Sequence, residues 1–337
     1  MSVDLVARLL LGSVPVLLLL AALIYLDSYK LVGLRRVIGL MMVGAAVAAG
    51  SYLVNRGLTS GLQIELRSYS RYVAPVIEEV AKGLFLAWLI RANRLGFLVD
   101  TAICGFALGT GFAVVENLYY LREMPDSHLV VWLVRGCGTA LMHGGATALF
   151  GMASRTLSER RSGFHAGAWL PGLGIAVALH SAFNHFFLSP VLSTAGILLV
   201  LPLLLFWVFE RSERSLEGWL HAGFDADAEL LELFHTGEVS QSPVGRYLHS
   251  LKEKFHGVVV ADMLCLLRLH AELSLRAKGL LLMRQGGFTV TLDDETRAKL
   301  AELAYLERSI GLTGRLAMAP FLRRSSRELW QLRMLGK

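Results

Sequence analysis

Residues 97–121 read FLVDTAICGFALGTGFAVVENLYYL, with Asp100 and Glu116 as the only charged side chains. A bilayer core about 30 Å thick asks for roughly 20 apolar residues in a helix. Backbone immersed in lipid must satisfy its own hydrogen bonds, so the stretch is expected to cross the membrane as an α-helix. Gly105 and Gly109 stand four apart, a spacing that lets a second helix approach closely. Glu116 and Asn117 put polar groups where burial in lipid is costly, which makes them functional candidates.

Working outward, six more apolar stretches flank this one, at about 9–26, 37–54, 73–91, 129–153, 168–188 and 192–210. The expected fold class is all-α: a polytopic transmembrane bundle of about seven or eight helices, followed by an α-helical soluble domain. Leu9–Leu26 has little positive charge before it and no clear small-residue cleavage site, so it reads as a retained first helix.

Charge divides the chain. Residues 1–210 hold 15 Lys and Arg with 11 Asp and Glu, whereas residues 211–337 hold 18 and 16. Two domains are therefore expected, 1–210 in the membrane and 211–337 outside it. The net charge of +6 is dispersed along the chain and excludes a nucleic-acid surface as the main theme. Cys104, Cys137 and Cys265 are too few for a disulfide framework.

Loop cations set the expected orientation. Lys30, Arg35, Arg36, Arg91, Arg94, Arg155, Arg160, Arg161, Arg211 and Arg214 fall on one side of a seven-span arrangement, and Arg8, Arg56, Arg67, Arg71 and Arg122 on the other. The bias puts the N-terminus outside and the C-terminal domain in the cytoplasm, with a bacterial cytoplasmic membrane as the setting.

Four spans carry ionisable groups. The third has Glu78, Glu79 and Lys82, the fourth Glu116, the fifth Arg135 and His143, and the sixth His180, Asn184 and His185. Counted from the outer ends of the spans at 1.5 Å per residue, Glu78 and Glu116 lie roughly 8 Å deep, His180 about 12 Å and His143 about 21 Å. Glu78 and Lys82 are four apart and share a helix face, which suits an ion pair. His180 and Asn184 share another face, Arg135 reads as a neutraliser of a glutamate, and Asp100 as a group reaching the inner interface. Acids and imidazoles on four consecutive helices point to one buried site.

The order Glu-Glu-x-x-Lys (78–82), Phe-x-x-x-Glu-Asn (112–117), His143, then His-x-x-x-Asn (180–184) resembles the PrsW family of intramembrane proteases. That family is grouped with the CAAX prenyl endopeptidases and bacteriocin-processing enzymes. The resemblance covers about residues 70–190 and implies hydrolysis of a membrane-anchored protein, such as an anti-sigma factor, near its extracytoplasmic face. By resemblance, Glu78 is the first-choice base, with Glu79 ionised beside Lys82 or assisting. Glu116 and His143 would hold or share the water, and His180 and Asn184 would donate to the oxyanion. A metal-free glutamate mechanism is the first expectation. A zinc version would use Glu78, Glu116, His143 and His180 as ligands, although the chain has no His-Glu-x-x-His string. The competing classes are a non-catalytic membrane scaffold or sensor and a proton-coupled transporter.

In the C-terminal part an apolar stripe, Leu248, Leu251, Phe255, Val259, Met263, Leu266, Leu267 and Leu273, predicts a long or broken helix over about 244–284. Such a stripe also suits self-association. Gly286-Gly287 should end it, Asp293 should cap a helix to about Ile310, and Gly311 and Gly314 should precede a last basic helix.

Overall fold

The computed structural model describes residues 3–62, 64–160, 166–288, 293–322 and 326–335; Arg161, one of the loop cations counted above, lies outside them. The chain forms two compact units, Met1–Glu213 and Arg214–Lys337. Among the described residues there is no strand.

Among the described residues, seven helical runs make the first unit. They are α1 (Val3–Tyr25), α2 (Leu34–Leu62), a third run of α3 (Leu66–Ser68), a π-helical turn (Tyr69–Val73) and α4 (Ala74–Arg91), then α5 (Leu98–Glu123). A fifth run joins α6 (Leu129–Val134), a second π turn (Arg135–Ala140) and α7 (Leu141–Arg160). Then come α8 (Ala166–His185) and the long α9 (Pro190–Thr236), inside which the first unit ends. By length and hydropathy α1, α2, α5 and α9 can each cross a membrane. The other three runs carry Glu78, Glu79, Lys82, Arg135, His143 and His180, and α5 carries Glu116.

The quoted stretch becomes the central helix. From Val99 to Ala113 every residue of α5 is buried, and α5 packs on α7, α2 and α1. A methyl group on Gly105 would sit 2.8 Å from the Thr147 carbonyl oxygen, and one on Gly109 would sit 2.4 Å from that of His143. Only glycine permits this approach of α5 to α7, and it fixes how near His143 stands to Glu116.

Asp100 lies inside the protein. It is fully buried and turns back to accept hydrogen bonds from the backbone N–H groups of Gly96 (2.8 Å) and Phe97 (2.9 Å). The first turn of a helix leaves such donors without partners, and a carboxylate three residues in is placed to take them. Asp27, in the loop after α1, accepts from the Val32 N–H at 3.0 Å, and burial pushes its carboxyl up to about 6.

In the second unit the predicted stripe breaks at residues 252–256 into α10 (Pro243–Leu251) and α11 (Gly257–Gln285). Leu248, Leu251, Met263, Leu266, Leu267 and Leu273 are all buried in the unit's own core. The stripe is thus consumed within the unit, which removes the feature that suggested self-association. Asp293 caps α12 (Asp294–Ser309) by accepting from the Thr296 N–H at 3.0 Å. Gly311, at φ 66°, takes the left-handed turn that begins α13 (Gly311–Met318), but Gly314 lies inside that helix rather than breaking it. The last helix, α14 (Ser326–Leu335), buries Trp330 and Leu335 and packs on α11.

Candidate active site

Four helices of the first unit bring their ionisable groups to one place. Lys82 on α4 donates to Glu79 Oε1 at 2.5 Å and to His143 Nδ1 at 3.0 Å. An ammonium has only donors, so His143 Nδ1 accepts and its Nε2–H donates to Glu116 Oε2 on α5, 3.0 Å away. On α8, His180 Nδ1 donates to Glu79 Oε1 at 2.9 Å, which leaves its Nε2 lone pair 4.0 Å from Glu78 Oε2. The His143 and His180 rings meet edge to face with centroids 4.7 Å apart. Phe112 floors the group, 4.5 Å from Lys82 Nζ and 4.9 Å from the His143 ring.

Two expectations are corrected here. Lys82 pairs with Glu79, at i−3, and not with Glu78 at i−4. Glu79 is the acid that points inward and is 2% exposed, and a charge so buried must be compensated. Glu78 turns toward α2, where Asn55 Nδ2 donates to it at 3.1 Å. Nor is His143 set deeper than the rest. The run that carries Glu78 begins at Leu66, seven residues before the predicted end, so span ends are no common plane from which to count depth.

Exposure separates the carboxylates. Glu79, Lys82, His143 and His180 are at most 3% exposed, whereas the side chains of Glu78 and Glu116 are 13% and 24% exposed. Glu78 and Glu116 are thus the carboxylates of the group that keep some exposed surface. Asn184 stands apart from it: its amide donates to the Ser70 carbonyl at 2.9 Å and ties α8 to the turn before α4. His185 likewise bonds to the Ser181 carbonyl. Arg135 lies 3.5 Å from Glu116, as a neutraliser would.

Two neighbours were not singled out from sequence, and a third was a candidate without an assigned role. Asn55 holds Glu78 and accepts from the Tyr69 hydroxyl at 2.9 Å. Tyr120 lies under the Arg135 guanidinium, 3.8 Å from ring centroid to carbon. Asn117, although part of the quoted motif, had no role; its amide donates to the Gly12 carbonyl of α1 at 2.6 Å. The signal that could have flagged Asn55 is a polar residue near the end of an apolar helix, which is too common to stand out.

One atom each from Glu78, His143 and His180 lie within 4.8 Å of one another. A carboxylate oxygen with two imidazole nitrogens is a donor set that suits zinc and leaves a position for water. The surroundings fit as well. Glu79 Oε1 accepts from His180 Nδ1–H at 2.9 Å. A carboxylate behind a ligand histidine orients the ring and raises its basicity.

A family model described as PrsW family intramembrane metalloprotease matches residues 33–209, just over half of the chain. The match takes in every residue of the cluster and ends before the second unit. No curated protein and no solved structure matches the chain. With a matching family model across its polar core, and with helices apolar enough to cross a bilayer, the chain is an integral membrane protein that belongs to the PrsW family of intramembrane metalloproteases.

Proposed function

We propose that the chain hydrolyses a peptide bond of a membrane-anchored protein, with Glu78, His143 and His180 as ligands of a divalent ion of zinc type and Glu116 as the base. The observation that carries this reading is the Glu78–His143–His180 donor set, with the partly exposed Glu116 carboxylate 3.0 Å from one of its imidazoles. A divalent ion so held supplies Lewis acidity, which activates water and polarises the scissile carbonyl.

The chain's own groups do the rest. Ligand nitrogens must be bare, and two in this group are: His180 Nε2, whose ring proton sits on Nδ1, and His143 Nδ1, which would exchange its bond from Lys82 for the ion while its Nε2–H stays on Glu116. In the reaction Glu116 takes a proton from the attacking water and returns it to the leaving amine as the C–N bond breaks. Glu79 orients the His180 ring, and Lys82 neutralises Glu79 at 2.5 Å. Phe112 excludes water from the buried side.

The substrate lies in or beside the lipid, as the family implies. The loop-cation bias supports an extracytoplasmic N-terminus, a cytoplasmic C-terminal domain and cleavage near the outer face of a bacterial cytoplasmic membrane.

The test compares new protein N-termini in membranes of cells carrying the wild-type chain or Glu78→Gln. Cleavages that vanish in a variant of unchanged thermal stability support hydrolysis. A variant that cleaves as the wild type does would refute it, as would a folded wild type that cleaves nothing. Metal analysis of the purified protein accompanies this: near-stoichiometric metal, lost with cleavage on chelation, is expected, and cleavage by a metal-free protein would sink the metal assignment alone.

A further inference from the structure

Peptide hydrolysis needs a donor for the oxygen that becomes negative, and the two groups first expected in that role are engaged elsewhere. His180 gives Nδ1–H to Glu79 and keeps Nε2 for Glu78 or a metal, and Asn184 spends its amide on the Ser70 carbonyl. Arg135 is differently placed. Its Nε donates to Asn117 Oδ1 at 2.8 Å, and Tyr120 supports the flat face of the guanidinium. Its Nη2 lies 3.5 Å from Glu116 Oε2, is enclosed, and makes no hydrogen bond.

This placement depends on the π turn. In an uninterrupted α-helix, positions 135 and 143 differ by about 80° around the axis. The extra residue of a π turn swings one relative to the other by about 100°, so both fall on one face. Arg135 and His143 accordingly meet the same oxygen of Glu116. The turn is held by close packing, since a methyl group on Gly136 would sit 1.8 Å from the Leu11 carbonyl oxygen of α1. Asn117 is anchored to that helix too, through Gly12. Thus α1, which precedes the family match, braces the guanidinium from two directions.

We propose that Arg135 is the oxyanion donor of this site. As water adds to the carbonyl carbon, the C=O pair moves to oxygen, and Nη2–H donates to that oxygen; no bond to the protein forms. When the carbonyl returns, the C–N bond breaks and the amine leaves with the proton held by Glu116. This inference rests on the hydrolase reading above.

The experiment uses the full chain in detergent and a peptide spanning a bond that the wild type cuts and Glu78→Gln does not. Arg135→Gln is expected to lower kcat about 10²- to 10³-fold with KM within about threefold. Arg135→Lys, which keeps the charge but loses the fork, should recover only part of that loss. Binding separates this role from a structural one. A phosphinate analogue of the peptide, which mimics the tetrahedral oxyanion, should bind Arg135→Gln at least 10²-fold more weakly, while the uncut peptide binds it as well as the wild type. Equal weakening of both, or an unchanged kcat, overturns the proposal. If Arg135→Gln does not fold, the same comparison on Arg135→Lys decides. Wild-type chain that cuts nothing overturns the hydrolase reading and this inference together. Cutting that needs Glu78 but not Arg135 overturns this inference alone.

Discussion

Replacing Lys82 by Met should cost more than any contact in the first unit of similar size. Lys82 is fully buried, and its Nζ stands 2.5 Å from a Glu79 carboxylate that is 2% exposed. At an effective dielectric of about 20, two unit charges at that separation attract by ~7 kcal/mol. Solvent screening is slight at this burial, so the main offset is the desolvation of both ions. Removing one partner leaves the other charged and uncompensated, which costs about 3–5 kcal/mol. Lys82→Met and Glu79→Gln should each lose about that much. The double variant Glu79→Gln/Lys82→Met, with neither charge of the pair left, should lose less than the two singles together by ~3 kcal/mol or more. The measurement is reversible unfolding of purified protein in mixed micelles by added SDS, fitted as a double-mutant cycle. Losses that add to within about 0.5 kcal/mol would refute the claim that this pair is a coupled buried unit. Activity should follow a different course: all three variants loosen the imidazoles, so all three should cleave poorly.

Gly109→Val should fold less stably by about 1–3 kcal/mol and lose cleavage, because the new side chain meets the His143 carbonyl oxygen 2.4 Å from its Cβ; an unchanged melting temperature would contradict the close approach of α5 and α7. Asn55→Leu removes the donor that holds Glu78, and activity is expected to fall about 10- to 100-fold with little loss of stability, read from rate and melting temperature together. Asp27 has its carboxyl raised from 3.8 to about 6 by burial, with Asp100 adding and Lys30 and the Val32 N–H opposing. The native state then holds the proton more tightly than the unfolded chain, so this residue's contribution is full below pH 3.8 and is lost as pH rises through about 6. Asp27→Asn, which keeps an acceptor for Val32, should stabilise at pH 7 by up to ~3 kcal/mol and by nearly nothing at pH 4; an equal gain at both would reject this account.

Much of the architecture could be read along the chain. The seven apolar runs become helical, and four of the helices are long and apolar enough to cross a membrane, because a segment in lipid has no partner for its backbone but itself. The helix cap at Asp293 and the close approach at Gly105 and Gly109 were legible for a similar reason: each depends on residues a few positions apart. The chemical identity of the site was legible too, since acids and histidines inside apolar runs have few reasons to be there. The pairing within it was not. Glu78 and Glu79 are equally able to meet Lys82 by spacing, and the choice falls to Glu79 because α8 turns His180 toward it while α2 offers Asn55 to Glu78.

What the order of residues fixed by itself was local: helices, their caps and small-residue faces, and which side chains are too polar for lipid. These follow from backbone hydrogen bonding and hydropathy within one segment. What only the folded chain decided was reciprocal. It chose which of two adjacent glutamates is sealed in, turned Asp100 back on its own helix, and, through one added residue in a π turn, aimed Arg135 at Glu116. Such choices depend on partners far away in sequence, because the stability of a buried charge is set by whatever stands opposite it.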